Sequence, residues 1–341
     1  MKKVIALLLV GAVMGGILFA DDASTLPARV GRLSLAGVYG FTTGAFDSDW
    51  KRQDPGSDIH MIHLGLALEY GITDWITGAL QWAPGGNVWS KFEGNENQKI
   101  NGLYDIFLGA MFQIVGKKAP VKNEMLRFSL APGVKIPLPG PDFEKNYNKM
   151  VENMTPPGAN NKYNAASLDN HVFGFGFRGY FDIVFNENFF LNFYTNFVYY
   201  PVKGKLEKQG LAGYGAAQAL KGAGQGTQIV NYGYDLDFEI EPRYILPLDK
   251  MVLNFCLPFT YVISPGVEYE TNAITQAILP VAGITDGVYS HIFSMRPGIS
   301  MMLTKTPLPL EFKLEYSLPL IGKNTTASNA VILAVKAYFK I

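Results

Sequence analysis

Asp235, Asp237, Glu239 and Glu241 put four carboxylates at every second position of one stretch. Side chains alternate across an extended chain, so this spacing lines all four on one face. Tyr234, Leu236, Phe238 and Ile240 take the other face. The same parity sets Arg127, Arg178, Arg243, Arg296 and Lys313 opposite aromatic or aliphatic neighbours. Acids and cations that share an enclosed face have two uses. They form a constriction that sorts solutes by charge and hydrogen bonding, or they pair with one another and fill the interior. Parity alone leaves both open.

Catalytic chemistry is not expected. Nucleophile and base must share a strand face to meet, and Ser290 and His291 are adjacent, hence on opposite faces. His60 and His63 are separated by an odd number of residues, which splits them in the same way and argues against a strand-borne metal site. His171 and His291 read as rim or lumen polar residues. The single Cys256 excludes an internal disulfide and a cysteine metal cluster, and no cofactor is implied. Gly174-x-Gly176-x-x-Gly179 matches the dinucleotide fingerprint in letters only, because no helix follows it. Its first two glycines leave lumen space or let the wall curve.

The elements that must hold these residues are strands. In 171–185 Phe173, Phe175, Phe177, Phe181, Ile183 and Phe185 share one parity, against Gly174, Gly176, Arg178, Tyr180 and Asp182. After a turn at Asn186-Glu187-Asn188, Leu191, Phe193, Phe197 and Tyr199 oppose Asn192, Tyr194, Asn196 and Tyr200. Broad aromatic residues on one side and small or charged ones on the other fit a wall with lipid outside and a lumen inside. Ten further segments repeat the pattern, near 32–41, 60–70, 75–82, 104–114, 126–136, 232–244, 252–263, 293–303, 308–318 and 330–341. That makes twelve strands of an all-β, transmembrane, antiparallel up-and-down β-barrel.

Connections after the even-numbered strands are short and the other six are longer, the pattern of periplasmic turns and surface loops, with both termini periplasmic. A one-residue slip would turn Arg178, Asp237 and Arg296 towards lipid, where a cation costs roughly 2–4 kcal/mol at the bilayer midplane. Tyr70, Trp75, Trp82, Tyr199, Tyr232 and Tyr261 are expected as interfacial girdle residues.

Met1-Lys2-Lys3 and the apolar run to Ala20 have the form of a secretory signal, residues 1–20, ahead of a single barrel domain, 21–341. The first strand follows closely, leaving no room for a plug domain. The loop 140–170 and the loop 201–230, the latter with a short helix, are expected to gate the external mouth. Lys plus Arg and Asp plus Glu both number 29, so nothing points to nucleic acid. The expected setting is a bacterial outer membrane, with lipid, a small-molecule solute and, through the C-terminal strand, the barrel-assembly machinery as partners.

EYGITDW (69–75), YDIFLGAMFQI (104–114) and MLRFSLAPGVKIPLPG (125–140) resemble the successive hairpins of outer-membrane proteins associated with phenol-degradation pathways. That group is distantly similar to the long-chain fatty-acid and aromatic-hydrocarbon transporters. The resemblance covers mainly the first half; in style the chain also resembles spirochaete outer-membrane proteins. It implies passive uptake of small hydrophobic or aromatic molecules. A narrow porin for polar solutes, with the charged face as its selectivity element, is the second reading. A plugged surface barrel that works through its loops as adhesin or structural protein is the third.

Overall fold

A computed structural model describes residues 22–54, 57–92, 95–102, 105–138, 144–145, 147–148, 172–208, 211–270, 272–281 and 286–340. The expected signal, 1–20, and most of the loop 140–170 lie outside the described residues, as do Tyr104 and His171. Alternation builds the wall. Its strands are β1 (Val30–Phe46), β2 (Ser57–Thr73), β3 (Ile76–Phe92), β4 (Ile106–Val115), β5 (Leu126–Ile136), β6 (Gly174–Val184), β7 (Phe189–Tyr199) and β8 (Tyr234–Pro247). They continue as β9 (Met251–Cys256 with Phe259–Ser264), β10 (Ser290–Met295 with Gly298–Leu303), β11 (Leu310–Lys323) and β12 (Thr325–Lys340). Every neighbour is antiparallel, and β12 pairs back onto β1 from Val30↔Lys340 to Phe46↔Thr325. The result is a closed barrel of twelve strands.

The outer face carries the predicted apolar parity. Leu33, Leu64, Phe175, Phe238, Leu314 and Leu333 stand outside, whereas Val38, Met61, His63 and Ala67 are buried inside. Leu333 is the most exposed of these, at 59%. Leu333→Arg should therefore cost about 2–4 kcal/mol of barrel stability, the penalty for a cation facing mid-bilayer lipid. Equilibrium unfolding from vesicles would measure it, and an unchanged midpoint would mean that this face does not meet lipid.

Local chemistry sets the turns. Asn186 Oδ1 accepts from Asn188 N and Phe189 N, both at 2.9 Å, fixing the β6–β7 turn. β11 runs straight into β12 through Asn324, whose φ of 50° suits asparagine in a left-handed turn. The expected longer loop there is thus a tight hairpin. β9 and β10 are each interrupted, at Leu257-Pro258 and at Arg296-Pro297, because proline has no N–H to give the ladder. Their carbonyls still accept: Arg296 N donates to Pro258 O at 2.8 Å and Tyr316 N to Pro297 O at 3.0 Å.

A cap covers the long-loop end. It comprises α1 (Leu211–Gly222), α2 (Ala273–Val281) and a three-stranded sheet of β13 (Gly204–Lys205), β14 (Ile229–Asn231) and β15 (Glu268–Tyr269). The predicted helix in 201–230 is α1. α2 replaces what reads in the sequence as loop: Asn272 Oδ1 accepts from Ile274 N and Thr275 N, an N-cap on an apolar segment. Leu206, Leu220, Val230, Tyr232, Tyr269 and Leu279 form the cap's core on Val198 of β7 and Tyr200 just beyond its end. Burial pushes the Tyr269 hydroxyl above its ordinary range and keeps it neutral. Leu220 is 0% exposed, so Leu220→Ala should loosen the cap by about 2–5 kcal/mol. Faster amide exchange confined to 204–232 and 268–281 is the expected reading.

Candidate channel lumen

All nine charged residues singled out by parity face the interior, but they do not form one ring. Arg296, 3% exposed, lies between β8 and β11, with Nη2 3.0 Å from Glu239 Oε2 and Nε 3.3 Å from Glu315 Oε1. Lys313 reaches Glu315 at 2.9 Å, and Arg243 reaches Glu241 at 2.5 Å. The network continues around the wall as Lys336–Glu311 at 3.7 Å and the two-pronged Arg32–Glu69 pair at 2.5 and 2.8 Å. One arc of the lumen, β8 through β12 and on to β1 and β2, is lined by paired charge. Pairing is what makes ions tolerable away from water.

The upper half of the acidic row is held differently. Asn196 Nδ2 donates to Asp237 at 2.9 Å, and the Tyr200 hydroxyl donates to Asp235 at 2.6 Å. Lys135 donates to the same tyrosine oxygen at 3.2 Å and lies 5.3 Å from the ring centroid.

Across from the paired arc, β4 to β7 present rings. Tyr180 and Tyr194 are buried with centroids 5.1 Å apart, and Ala131 and Met111 pack against them. Arg178 belongs to this arc. Its guanidinium lies 4.3 Å from the Phe107 centroid and donates to Gln81 Oε1 at 2.6 Å. Phe107 fits because its neighbours are Gly109 and Gly133; a Cβ on Gly133 would come within 2.3 Å of the ring. Phe190, also inward, takes Arg127 and Arg243 on its ring at 5.5 and 5.3 Å.

Arg127 departs from the expected constriction. It pairs with Asp182 at 3.3 Å, low in the barrel, where Asp182 also accepts from Asn192 at 2.7 Å and from the Ala23 backbone. Glu315, Glu311, Lys336, Asp182, Gln81 and Phe107 complete the lining and were not among the sequence candidates. Parity does put them inside, but it cannot say which strands face each other across the lumen.

Of the expected girdle, Tyr70 and Tyr199 stand exposed on the outer face at opposite ends, and Tyr261 donates to or accepts from His291 Nδ1 at 3.0 Å. Trp75 sits in the β2–β3 turn, and Trp82 pairs with Ile106, the first residue of β4. Tyr232 is not a girdle residue. Gly233, with φ of 65°, breaks the alternation ahead of β8 and turns Tyr232 into the cap core, 6.1 Å from the Tyr200 ring. Among the described residues no group of three or more potential ligands could hold a metal ion.

No protein-family model matches the chain, and no curated protein does. Among solved structures it is similar to an outer membrane channel from Pseudomonas putida F1, with a TM-score of 0.60 and 12% identity over 94% of this chain and 99% of that one. It is less similar to a Pseudomonas aeruginosa FadL homologue, at TM-score 0.36 and 10% identity over 98% of each chain. The monoaromatic hydrocarbon channel CymD gives 0.41 and 10% over 99% of this chain and 98% of that one. The protein therefore has the fold of the P. putida outer membrane channel, a closed twelve-stranded antiparallel barrel with an apolar exterior.

Proposed function

We propose that this protein is an outer-membrane channel for passive uptake of small molecules, chiefly aromatic or hydrophobic ones, exported by a cleaved signal and inserted with its short turns in the periplasm. The observation that carries the reading is the division of the lumen. One arc holds charge already neutralised in pairs, and the facing arc presents Phe107, Tyr180 and Tyr194. Paired ions offer little to a passing ion. Phe107, Tyr180 and Tyr194 give the facing arc an aromatic lining in keeping with a planar solute, and Arg178 Nε and Glu239 Oε1 are buried polar atoms without a hydrogen-bond partner among the described residues. The similarity in fold to an outer membrane channel supports the same reading.

A plugged surface barrel is the second reading, favoured by the cap over one end. Permeation separates the two. Proteoliposomes should admit a small phenol faster than a sugar of equal size, and Tyr194→Ala should reduce that preference. Asp237→Asn should change the ion selectivity of single-channel steps in a planar bilayer. No steps and no permeation from a verifiably inserted barrel would leave the surface role.

A further inference from the structure

The segment Asp22–Ala28, ahead of β1, does not pair with any strand edge. It enters the lumen at the short-turn end. Arg29, with φ of 65°, turns the chain inward from the wall, and its N–H donates to Gly71 O at 2.8 Å. Ala23 is 0% exposed and lies against the Tyr180–Tyr194 pair. Its N–H donates to both oxygens of Asp182 at 3.3 and 3.2 Å, and its carbonyl accepts from Gln113 Nε2 at 2.9 Å and Ser129 Oγ at 2.6 Å. Arg127 donates to Ser24 Oγ at 3.1 Å, Arg243 lies 3.6 Å from Asp22, and Leu26 N donates to Thr77 Oγ1 at 2.9 Å. Thr25 Oγ1 and Ala28 N reach the backbone and side chain of Asp74 at 2.8 and 3.0 Å. Side chains from β3, β4, β5, β6 and β8 thus grip one strap of backbone laid beneath the aromatic arc.

We propose that this strap is the exit gate of the channel: a solute that reaches Tyr180 and Tyr194 leaves the lumen when residues 22–28 swing out about Arg29. The inference rests on the channel reading above. Three features make the strap a moving part. Its bonds to lumen side chains can each be exchanged for bonds to water, so release leaves no polar group stranded. Of residues 22–28 only Leu26 and Pro27 are sizeable apolar side chains, so little hydrophobic burial opposes release. And the wall is shaped for the strap: a Cβ on Gly71 would stand 2.1 Å from Pro27 O and 2.7 Å from Leu26 O, so only glycine admits the backbone there. The same contacts reassign Arg127 and Arg243 from solute selection to holding the strap, with Asp182 beside them.

Two variants test this in full-length protein reconstituted in planar bilayers. In a Cys256→Ser background, Ala23→Cys with Ser129→Cys joins the strap to β5 on oxidation. Loss of conductance and of phenol permeation in the oxidised form, with recovery on reduction, is expected. Gly71→Ala, which pushes a methyl group into the strap, should lengthen the open periods relative to wild type. Equal conductance in oxidised and reduced forms, with the cross-link verified by mass, would overturn the gate and leave the channel reading intact. If a variant lacking residues 22–28 also conducts nothing, the channel reading falls and the gate with it.

Discussion

Replacing Arg296 by glutamine should destabilise the barrel by about 3–5 kcal/mol, the usual consequence of removing one partner from a buried ion network. Arg296 is the only cation that touches both Glu239 and Glu315 among the described residues, and all three are at most 3% exposed. Without it Lys313 still answers Glu315, whereas Glu239 keeps only the hydroxyl of Thr260, at 2.7 Å. A carboxylate left in that position must either take a proton or draw water into the arc. Both costs appear in the unfolding free energy, read by tryptophan fluorescence in urea from vesicles. The double variant Arg296→Met, Glu239→Gln removes the cation together with the carboxylate it would strand and leaves Glu315 to Lys313, so it should recover most of the loss. A single variant within about 0.5 kcal/mol of wild type, the range of an ordinary surface substitution, would mean that water already solvates these groups.

That network also marks how far the sequence carries. Period-two alternation puts Arg296, Glu239 and Glu315 on the face opposite the apolar one, where all three are buried, because a wall between lipid and interior leaves each side chain two choices. It gave no pairing. Arg296 meets Glu239 through the β8–β9–β10 neighbourhood and Glu315 through β10–β11, which depends on register and on the tilt of a closed wall. Tyr232 shows where alternation stops being informative: one left-handed glycine, Gly233, resets the phase. α2 was legible in part, since Asn272 stands where an N-cap belongs and an apolar segment follows, but nine residues make a weak periodic signal. The strap was not legible at all. Asp22-Ala23-Ser24-Thr25 has no periodicity, and the burial of Ala23 is decided by Asp182, 159 positions away.

Gly176→Ala should impair assembly more than its single added methyl suggests. The new Cβ would stand 1.9 Å from Phe197 O, 2.9 Å from Phe197 C and 2.9 Å from Val198 Cα, all backbone atoms of the paired strand. No rotamer relieves such a contact, so β6 and β7 must move apart where Gly176 faces Val198. We expect a loss near the upper end of the overpacking range, about 3 kcal/mol, and a reduced folded fraction on unheated gels. Gly37→Ala is the matched control, because its nearest neighbour is the tip of Leu64 at 4.0 Å, and it should assemble normally. The effect should reach the lumen as well. Gly174, next on the same face, leaves the Tyr200 ring 3.1 Å from where its own Cβ would be, and that ring carries the bonds to Asp235 and Lys135. The two glycines whose spacing imitates a nucleotide fingerprint thus let β6 lie close enough to β7 to seat the tyrosine that joins the lumen to the cap. Residual folded Gly176→Ala protein should accordingly show faster amide exchange in the cap than the Gly37→Ala control. Equal cap protection in the two would mean that the close approach serves the wall alone.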